Sequence, residues 1–385
     1  MYTRLLPLPE RTFFLFGPRG TGKTTWLQQA LGNAHWIDLL LEREFVRFVR
    51  DPGRFAEEVE ALPAKSWIVV DEVQRLPALL DEVQSLIARR GSRYRFALTG
   101  SSARKLRRGG ANLLPGRAIN RRFFPLTASE IGGGFRLEHA LRFGTLPAVW
   151  SARREADRID LLEAYVENYV AQEIRQEAVV KNLDSFTRFL EVAATMNAQV
   201  VNVAGVSRDA AVARPTVQGY FEILVDTLIG NWLPAWRPRA KVKEVAHAKF
   251  YFFDPGVVRA LARRTHEPLA NEERGHLLET YLLHELRAWI DRSGVGGELS
   301  YWRTAHGTEI DFVWTRGARS VGIEVKAATK WRREDGAALA ELAETKHIQH
   351  AFGVYRGEQA LKIGKLLVLP VEEFLRKLAA GEVLR

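Results

Sequence analysis

Two hydrophobic patterns divide the chain. Up to about Trp150 short apolar runs alternate with helix-length segments. Beyond it amphipathic helix prevails until three strand-like runs near the end. The runs at 13–16, 66–70 and 94–98 are too continuously apolar for strands with one wet face, and predict buried strands of a parallel sheet. Over 159–180, Leu161, Leu162, Tyr165, Val166, Tyr169 and Ile174 recur at helical spacing and predict linking helices. Helices are expected at 186–196, 202–207 and 215–224, in the manner of a winged or helix-turn-helix module, with Pro215 suited to a first turn. Glu222 and Asp226 make the third of these acidic towards its end, and only Arg208 and Arg214 lie near its start. A protein-docking or structural role is therefore as open as DNA reading. Residues 299–304, 309–314 and 321–326 predict three strands joined by glycine-containing turns. Strict alternation would put Ile310, Phe312 and Trp314 on one face and Asp311 on the other, with Glu324 and Lys326 sharing a face.

The run at 13–16 leads into Gly17-Pro18-Arg19-Gly20-Thr21-Gly22-Lys23-Thr24-Thr25, the spacing of a phosphate-binding loop. Glycines at 17, 20 and 22 let successive backbone N–H groups turn inward around phosphates, where a Cβ would crowd the turn. Lys23 supplies a point charge for the β- and γ-phosphates and Thr24 a hydroxyl for Mg²⁺. The helix that follows aims its positive dipole end at the anion. This makes the chain a user of ATP or GTP. The second run ends in Asp71 and Glu72, placed to hold Mg²⁺ through water and to polarise an attacking water. The third ends in Thr99-Gly100-Ser101-Ser102, where Ser101 or Ser102 is the candidate for sensing the γ-phosphate.

These pieces resemble the AAA+ superfamily of ATPases. The run Asp71-Glu72-Val73-Gln74-Arg75-Leu76-Pro77 is similar to one branch of it, as are Gly116-Arg117 and the stretch 124–130. The resemblance implies a C-terminal domain of unknown function with a restriction-endonuclease-like core, an ATP and Mg²⁺ requirement, and homo-oligomers that commonly form rings of six. An arginine completing the neighbour's site is implied too, with Arg117 the first choice and Arg104, Arg121 and Arg122 its competitors. In the last third, Asp311 followed by Glu324-Val325-Lys326 resembles the nuclease motif of that fold, and the helix around 275–286 offers Glu279 as its first acidic residue. The implied chemistry is a phosphodiesterase in which Glu279, Asp311 and Glu324 hold Mg²⁺ or Mn²⁺ and Lys326 orients or deprotonates water. The proline that often precedes the aspartate is missing here. A structural salt bridge, or a nuclease fold kept for binding, is the competing account. His276, His284 and His306 are read as helix-face or turn residues.

A length of 385 residues predicts two or three domains. The expected fold is α/β: an AAA+ P-loop ATPase core at 1–150, a helical lid and winged-helix-like module at 151–238, and a restriction-endonuclease-like α/β domain at 239–385, after the proline-containing linker 233–238. No apolar run approaches a membrane span, and a cytoplasmic location is the expectation. Without cysteine, disulfides and thiolate metal sites are excluded. A formal net charge of +10 argues for an anionic partner besides the nucleotide, with basic clusters at 104–108, 117–122, 237–243 and 330–333. The leading expectation is ATP-driven remodelling of DNA, branched or junction DNA included, with a metal-dependent nuclease domain. The alternative is a nucleotide-controlled regulatory switch that binds a protein partner, its nuclease-like domain catalytically silent.

Overall fold

The computed structural model describes residues 2–101, 114–170, 183–237 and 247–384. Ser102, the 104–108 cluster, Ile174, and Arg239, Lys241 and Lys243 lie outside them. The chain divides into two compact units, one of Thr3–Pro125 with Asp226–Ile229, the other of Leu126–Val225 with Gly230–Arg385.

In the first unit a five-stranded sheet runs in the order β2-β3-β4-β1-β5, every neighbour parallel. The strands are β1 (Phe13–Phe16), β2 (His35–Asp38), β3 (Trp67–Asp71), β4 (Arg95–Gly100) and β5 (Ile119–Arg122). Alternation within β1 feeds two cores. Phe14 and Phe16 join Ile68, Val70, Phe96 and Leu98, while Phe13 and Leu15 pack with Val69, Ala97, Trp26 and Leu27. Burial on both faces explains the unbroken apolar runs. Four helices flank the sheet in sequence: α1 (Lys23–Ala30), α2 (Glu42–Arg50), α3 (Gly53–Glu60) and α4 (Leu79–Arg90). Because β1, β3 and β4 all run the same way, the phosphate-binding loop, Asp71-Glu72 and Ser101 are delivered to one edge of the sheet.

The second unit holds a three-stranded sheet ordered β6-β8-β7, of β6 (Gln199–Val200), β7 (Gly230–Leu233) and β8 (Lys249–Phe252). Helices Leu183–Thr195 and Arg214–Asp226 pack on it through aromatic rings: Phe189 lies 4.9 Å from Phe221, which lies 4.8 Å from Phe250. The outer face of Arg214–Asp226 exposes Arg214, Thr216, Gln218 and Glu222, one cation against one anion.

A six-stranded mixed sheet follows, ordered β13-β14-β12-β11-β10-β9. Its strands are β9 (Glu298–Arg303), β10 (Glu309–Arg316), β11 (Arg319–Lys326), β12 (His350–Tyr355), β13 (Leu361–Ile363) and β14 (Leu366–Pro370). The first three are antiparallel neighbours. β11 and β12 are parallel, joined across helix Ala337–Glu344. Helix Asn271–Ser293 precedes β9 and ends at Gly294, whose φ of 66° forms the left-handed stop that glycine adopts without strain. The expected alternation in β10 fails. A register shift between Ile310 and Val313 puts both side chains into the same core with Trp302 and Leu339, so Ile310, Phe312 and Trp314 do not share one face.

Candidate functional site

The first site grows out of β1. Gly20 and Gly22 take φ values of 69° and 91°, and a Cβ on Gly17 would lie 2.3 Å from the Phe123 carbonyl oxygen, so the loop's course depends on glycine at all three places. The Thr21 hydroxyl donates to the Pro18 carbonyl at 2.8 Å, closing the loop on itself. Lys23, buried at the start of α1, donates to the carbonyls of Gly17 at 2.6 Å and Pro18 at 3.0 Å. Pro18 is buried, Arg19 half-buried, and Thr25 faces out. Arg4 braces the loop from outside it: its guanidinium lies 4.0 Å over the Phe123 ring and donates to the carbonyls of Thr21 and Phe124, each at 2.7 Å.

The Thr24 hydroxyl donates to the Asp71 carboxylate at 2.7 Å, and the other Asp71 oxygen accepts from Thr99. Hard oxygen donors from a hydroxyl and a carboxylate, beside a glycine cradle lined by backbone N–H groups, suit a magnesium–nucleotide. Glu72 leaves the strand at φ 58°, a left-handed conformation uncommon for a residue with a side chain, and its N–H donates to Thr99 Oγ1 at 3.0 Å. Its buried carboxylate accepts from the Gln74 amide, which also donates to Ser101 Oγ at 3.0 Å; Ser101 Oγ in turn lies 3.5 Å from Glu72. The structure thus brings Lys23, Thr24, Asp71, Glu72 and Ser101 to one edge. Arg117 is exposed in the turn before β5. Arg4, Thr99 and Gln74 contribute here without a role assigned to them from the sequence. Thr99 and Gln74 each lie two residues from a residue that was singled out, but no motif marks Arg4.

A second cluster lies in the other unit. Helix Asn271–Ser293 presents Glu279, β10 presents Glu309 and Asp311, and β11 presents Glu324 and Lys326. Into it reaches Lys249 of β8, its side chain only 4% exposed, with Nζ 3.3 Å from Glu279, 3.7 Å from Asp311 and in direct contact with Glu309. Tyr251, two residues on and so on the same face of β8, donates to Glu279 at 2.9 Å. The second Asp311 oxygen accepts from the Val325 N–H at 2.8 Å, and Lys326 pairs with Glu324 at 2.5 Å. Glu324 Oε2 is buried without a hydrogen-bond partner.

Burial, reinforced by the charge of Asp311, pushes the Glu279 carboxyl up to about 8. It raises Glu324 as well, against the pull of Lys326. Burial alone would lower the Lys249 ammonium, but the surrounding carboxylates hold it above its ordinary range. Lys249, Tyr251 and Glu309 were not foreseen; the signal was the Lys-Phe-Tyr-Phe alternation of β8, which sends two polar ends inward together. Among the described residues no group of three or more histidine or acidic side chains is arranged to hold a metal ion.

A parallel sheet with a phosphate-binding loop and paired carboxylates at one edge is the arrangement of a P-loop nucleotide-binding domain. Comparisons with known proteins refine it. Residues 9–132 match the model of an AAA domain, 134–267 a domain of unknown function (DUF8612) and 274–374 another (DUF4143). These matches support an AAA family ATPase with a C-terminal domain of unknown function. Two relatives, the uncharacterized proteins Mb2031c of Mycobacterium bovis and Rv2008c of Mycobacterium tuberculosis, are each 26% identical over 377 residues. The match spans 96% of this chain and 82% of theirs. The crystal structure of protein VC1899 from Vibrio cholerae aligns over 96% of both chains, at 11% identity and a TM-score of 0.22, too low to bear on the fold. Among the described residues no helix is long and apolar enough to cross a membrane.

Proposed function

We propose that this chain hydrolyses ATP with Mg²⁺ and couples turnover to binding and remodelling of DNA. The observation that carries the ATPase reading is the gathering of Lys23, Thr24, Asp71, Glu72 and Ser101 at one sheet edge. In this reading the backbone of 17–25 wraps the phosphates, and Lys23 exchanges its bonds to the loop carbonyls for phosphate oxygens. Thr24 and Asp71 hold the Mg²⁺, which neutralises phosphate charge when bound. Glu72 orients the attacking water, Ser101 contacts the γ-phosphate, and Arg117 reaches a neighbour's site in a homo-oligomer, a hexamer being the expected ring.

The DNA reading draws on the net charge of +10 and on exposed Lys330, Arg332 and Arg333 just after β11, with Arg117 and Arg122 exposed around β5. We further propose a winged-helix-like module at 151–238 and a restriction-endonuclease-like fold at 239–385. The succession of helix Asn271–Ser293, antiparallel β9-β10-β11 and parallel β12 supports the restriction-endonuclease-like reading. A second reading, a nucleotide-controlled switch that binds a protein partner through a silent nuclease-like domain, is favoured by the ammonium of Lys249 inside the acidic cluster.

Lys23→Ala is expected to abolish nucleotide binding, whereas Glu72→Gln keeps binding and loses turnover by about a hundredfold or more. Unimpaired hydrolysis in Glu72→Gln would remove the role given to that residue. DNA binding measured on single-stranded, duplex and branched DNA over a salt series should weaken steeply with salt, and DNA should raise the ATPase rate. No binding at low salt would leave the protein-partner switch.

A further inference from the structure

We infer that Lys249 is the built-in cation of the buried acidic cluster, so that the terminal unit holds no divalent metal there and does not cut phosphodiesters. The inference is independent of the ATPase reading, whose residues lie in the other unit.

The argument starts from which oxygens are free. A divalent magnesium or manganese ion needs several oxygens converging at about 2.0–2.2 Å, and the acids placed to supply them are Glu279, Asp311 and Glu324. The Glu279 oxygen that faces inward lies 3.3 Å from the Lys249 ammonium and 2.9 Å from the Tyr251 hydroxyl. Asp311 gives one oxygen to Lys249 at 3.7 Å and the other to the Val325 N–H at 2.8 Å. Glu324 gives one oxygen to Lys326 at 2.5 Å. Among the described residues, the Glu324 oxygen Oε2 is buried without a partner, and the inward-facing oxygens of Glu279 and Asp311 are already taken by Lys249, Tyr251 and the Val325 N–H, which leaves too few converging oxygens for a magnesium site.

The ammonium is also fixed rather than visiting. Its side chain is 4% exposed, it is contacted by carboxylates from both the helix and β10, and it lies 5.4 Å from the Tyr301 ring centroid, within cation–π range. Glu309, which pairs with Lys249, is also 3.4 Å from Arg303, so it too is occupied. A divalent ion bridging Glu279 and Asp311 would have to stand where this ammonium stands, and like charges at that separation exclude one another. The residues therefore do not fit the metal that the nuclease resemblance implies. Lys249 supplies in permanent form the positive charge that such a cluster otherwise recruits from solution.

The test is Mn²⁺ binding to the full chain without nucleotide, followed by isothermal titration calorimetry and by the electron paramagnetic resonance of free Mn²⁺. Any Mn²⁺ at Thr24 and Asp71 is common to all variants and cancels between them. Wild type and Asp311→Asn are expected to bind the same number of Mn²⁺ ions with the same affinity. Lys249→Met, which keeps most of the side chain's length and removes the charge, is expected to gain one Mn²⁺ at least tenfold tighter than any site in wild type, and Lys249→Met combined with Asp311→Asn to lose it.

A wild-type site that disappears in Asp311→Asn or in Glu324→Gln would overturn the inference, as would a folded Lys249→Met that gains no ion. Should Lys249→Met fail to fold, the wild-type comparison with Asp311→Asn and Glu324→Gln decides alone. Cleavage of DNA by wild type in Mn²⁺ that is lost in Asp311→Asn would overturn it equally.

Discussion

Gln74 stands between two residues that chemistry must bring to the same phosphate. Its amide donates both to Glu72 and to Ser101, and Gly100 leaves it the room: a Cβ there would lie 2.7 Å from Gln74 Oε1. A carboxylate that is to orient water gains from being held in one rotamer, and the left-handed backbone of Glu72 already limits where its side chain can go. Gln74 is therefore a positioning residue. Gln74→Ala is expected to lower kcat about tenfold while leaving KM for ATP within about twofold, because the phosphate-binding loop is untouched. Gln74→Glu should be worse, since it sets a second carboxylate against Glu72. Steady-state ATPase kinetics check both. A fall in nucleotide affinity with unchanged kcat would place Gln74 in the binding of ATP instead.

Elements of the second unit are tied together by buried carboxylates. Asp254 caps helix Pro255–Leu261 by accepting from the Val257 N–H at 3.1 Å, and it accepts from the Thr145 N–H at 2.7 Å; Gly144 has no Cβ because one would lie 1.8 Å from Asp254 Oδ1. Glu285 accepts from the Ala128 N–H at 2.6 Å and the Tyr281 hydroxyl at 2.5 Å. Burial pushes Glu285 from 4.5 up to about 7, although the two hydrogen bonds and Arg292 pull it down. Folded protein thus holds the Glu285 proton more tightly than unfolded protein does. Its contribution to stability is full below about 4.5 and is lost as pH rises through about 7. Wild type is expected to lose up to a few kcal/mol more between pH 5 and pH 8 than Glu285→Gln, which keeps both hydrogen bonds and cannot titrate. Chemical denaturation of the two proteins across that range measures the difference; parallel curves would show that Glu285 does not titrate there.

How much of this was legible in the sequence differs by element. β1, β3 and β4 are apolar on both faces, and the loop after β1 needs its glycines, so strands and loop could be read directly. The paired strands of the terminal sheet were also visible, yet β10 breaks its alternation at a bulge, which period-two reasoning cannot anticipate. Lys249 lies 60 residues before Glu309 and belongs to another sheet, so its place in the cluster is set by packing alone. Asp254 and Glu285 were missed for the same reason: a lone acid in an apolar stretch does not announce which backbone N–H it will meet.

At the scale of the whole molecule the proposed homo-oligomer makes a testable claim about how many copies complete one site. Arg117 is exposed, in a turn held by its N–H donating to the Leu114 carbonyl at 2.9 Å, as an arginine reaching another copy would have to be. Mixtures of Glu72→Gln with Arg117→Ala subunits are expected to recover part of the activity that each lacks alone, because some interfaces then pair an intact Glu72 with an intact Arg117. Absence of recovery at every mixing ratio, with light scattering confirming mixed assemblies, would show that each chain completes its own site.

Lys249 has a mechanical consequence as well. It is rooted in the three-stranded sheet and ends among acids carried by the six-stranded one and by helix Asn271–Ser293, so it ties three elements together. Sliding β8 past β10 would draw a buried ammonium away from its counter-charges, a separation that costs about 3–5 kcal/mol when a buried pair is broken. Lys249 therefore couples β8 to β10, and the amides of the two strands are expected to exchange with solvent at similar rates.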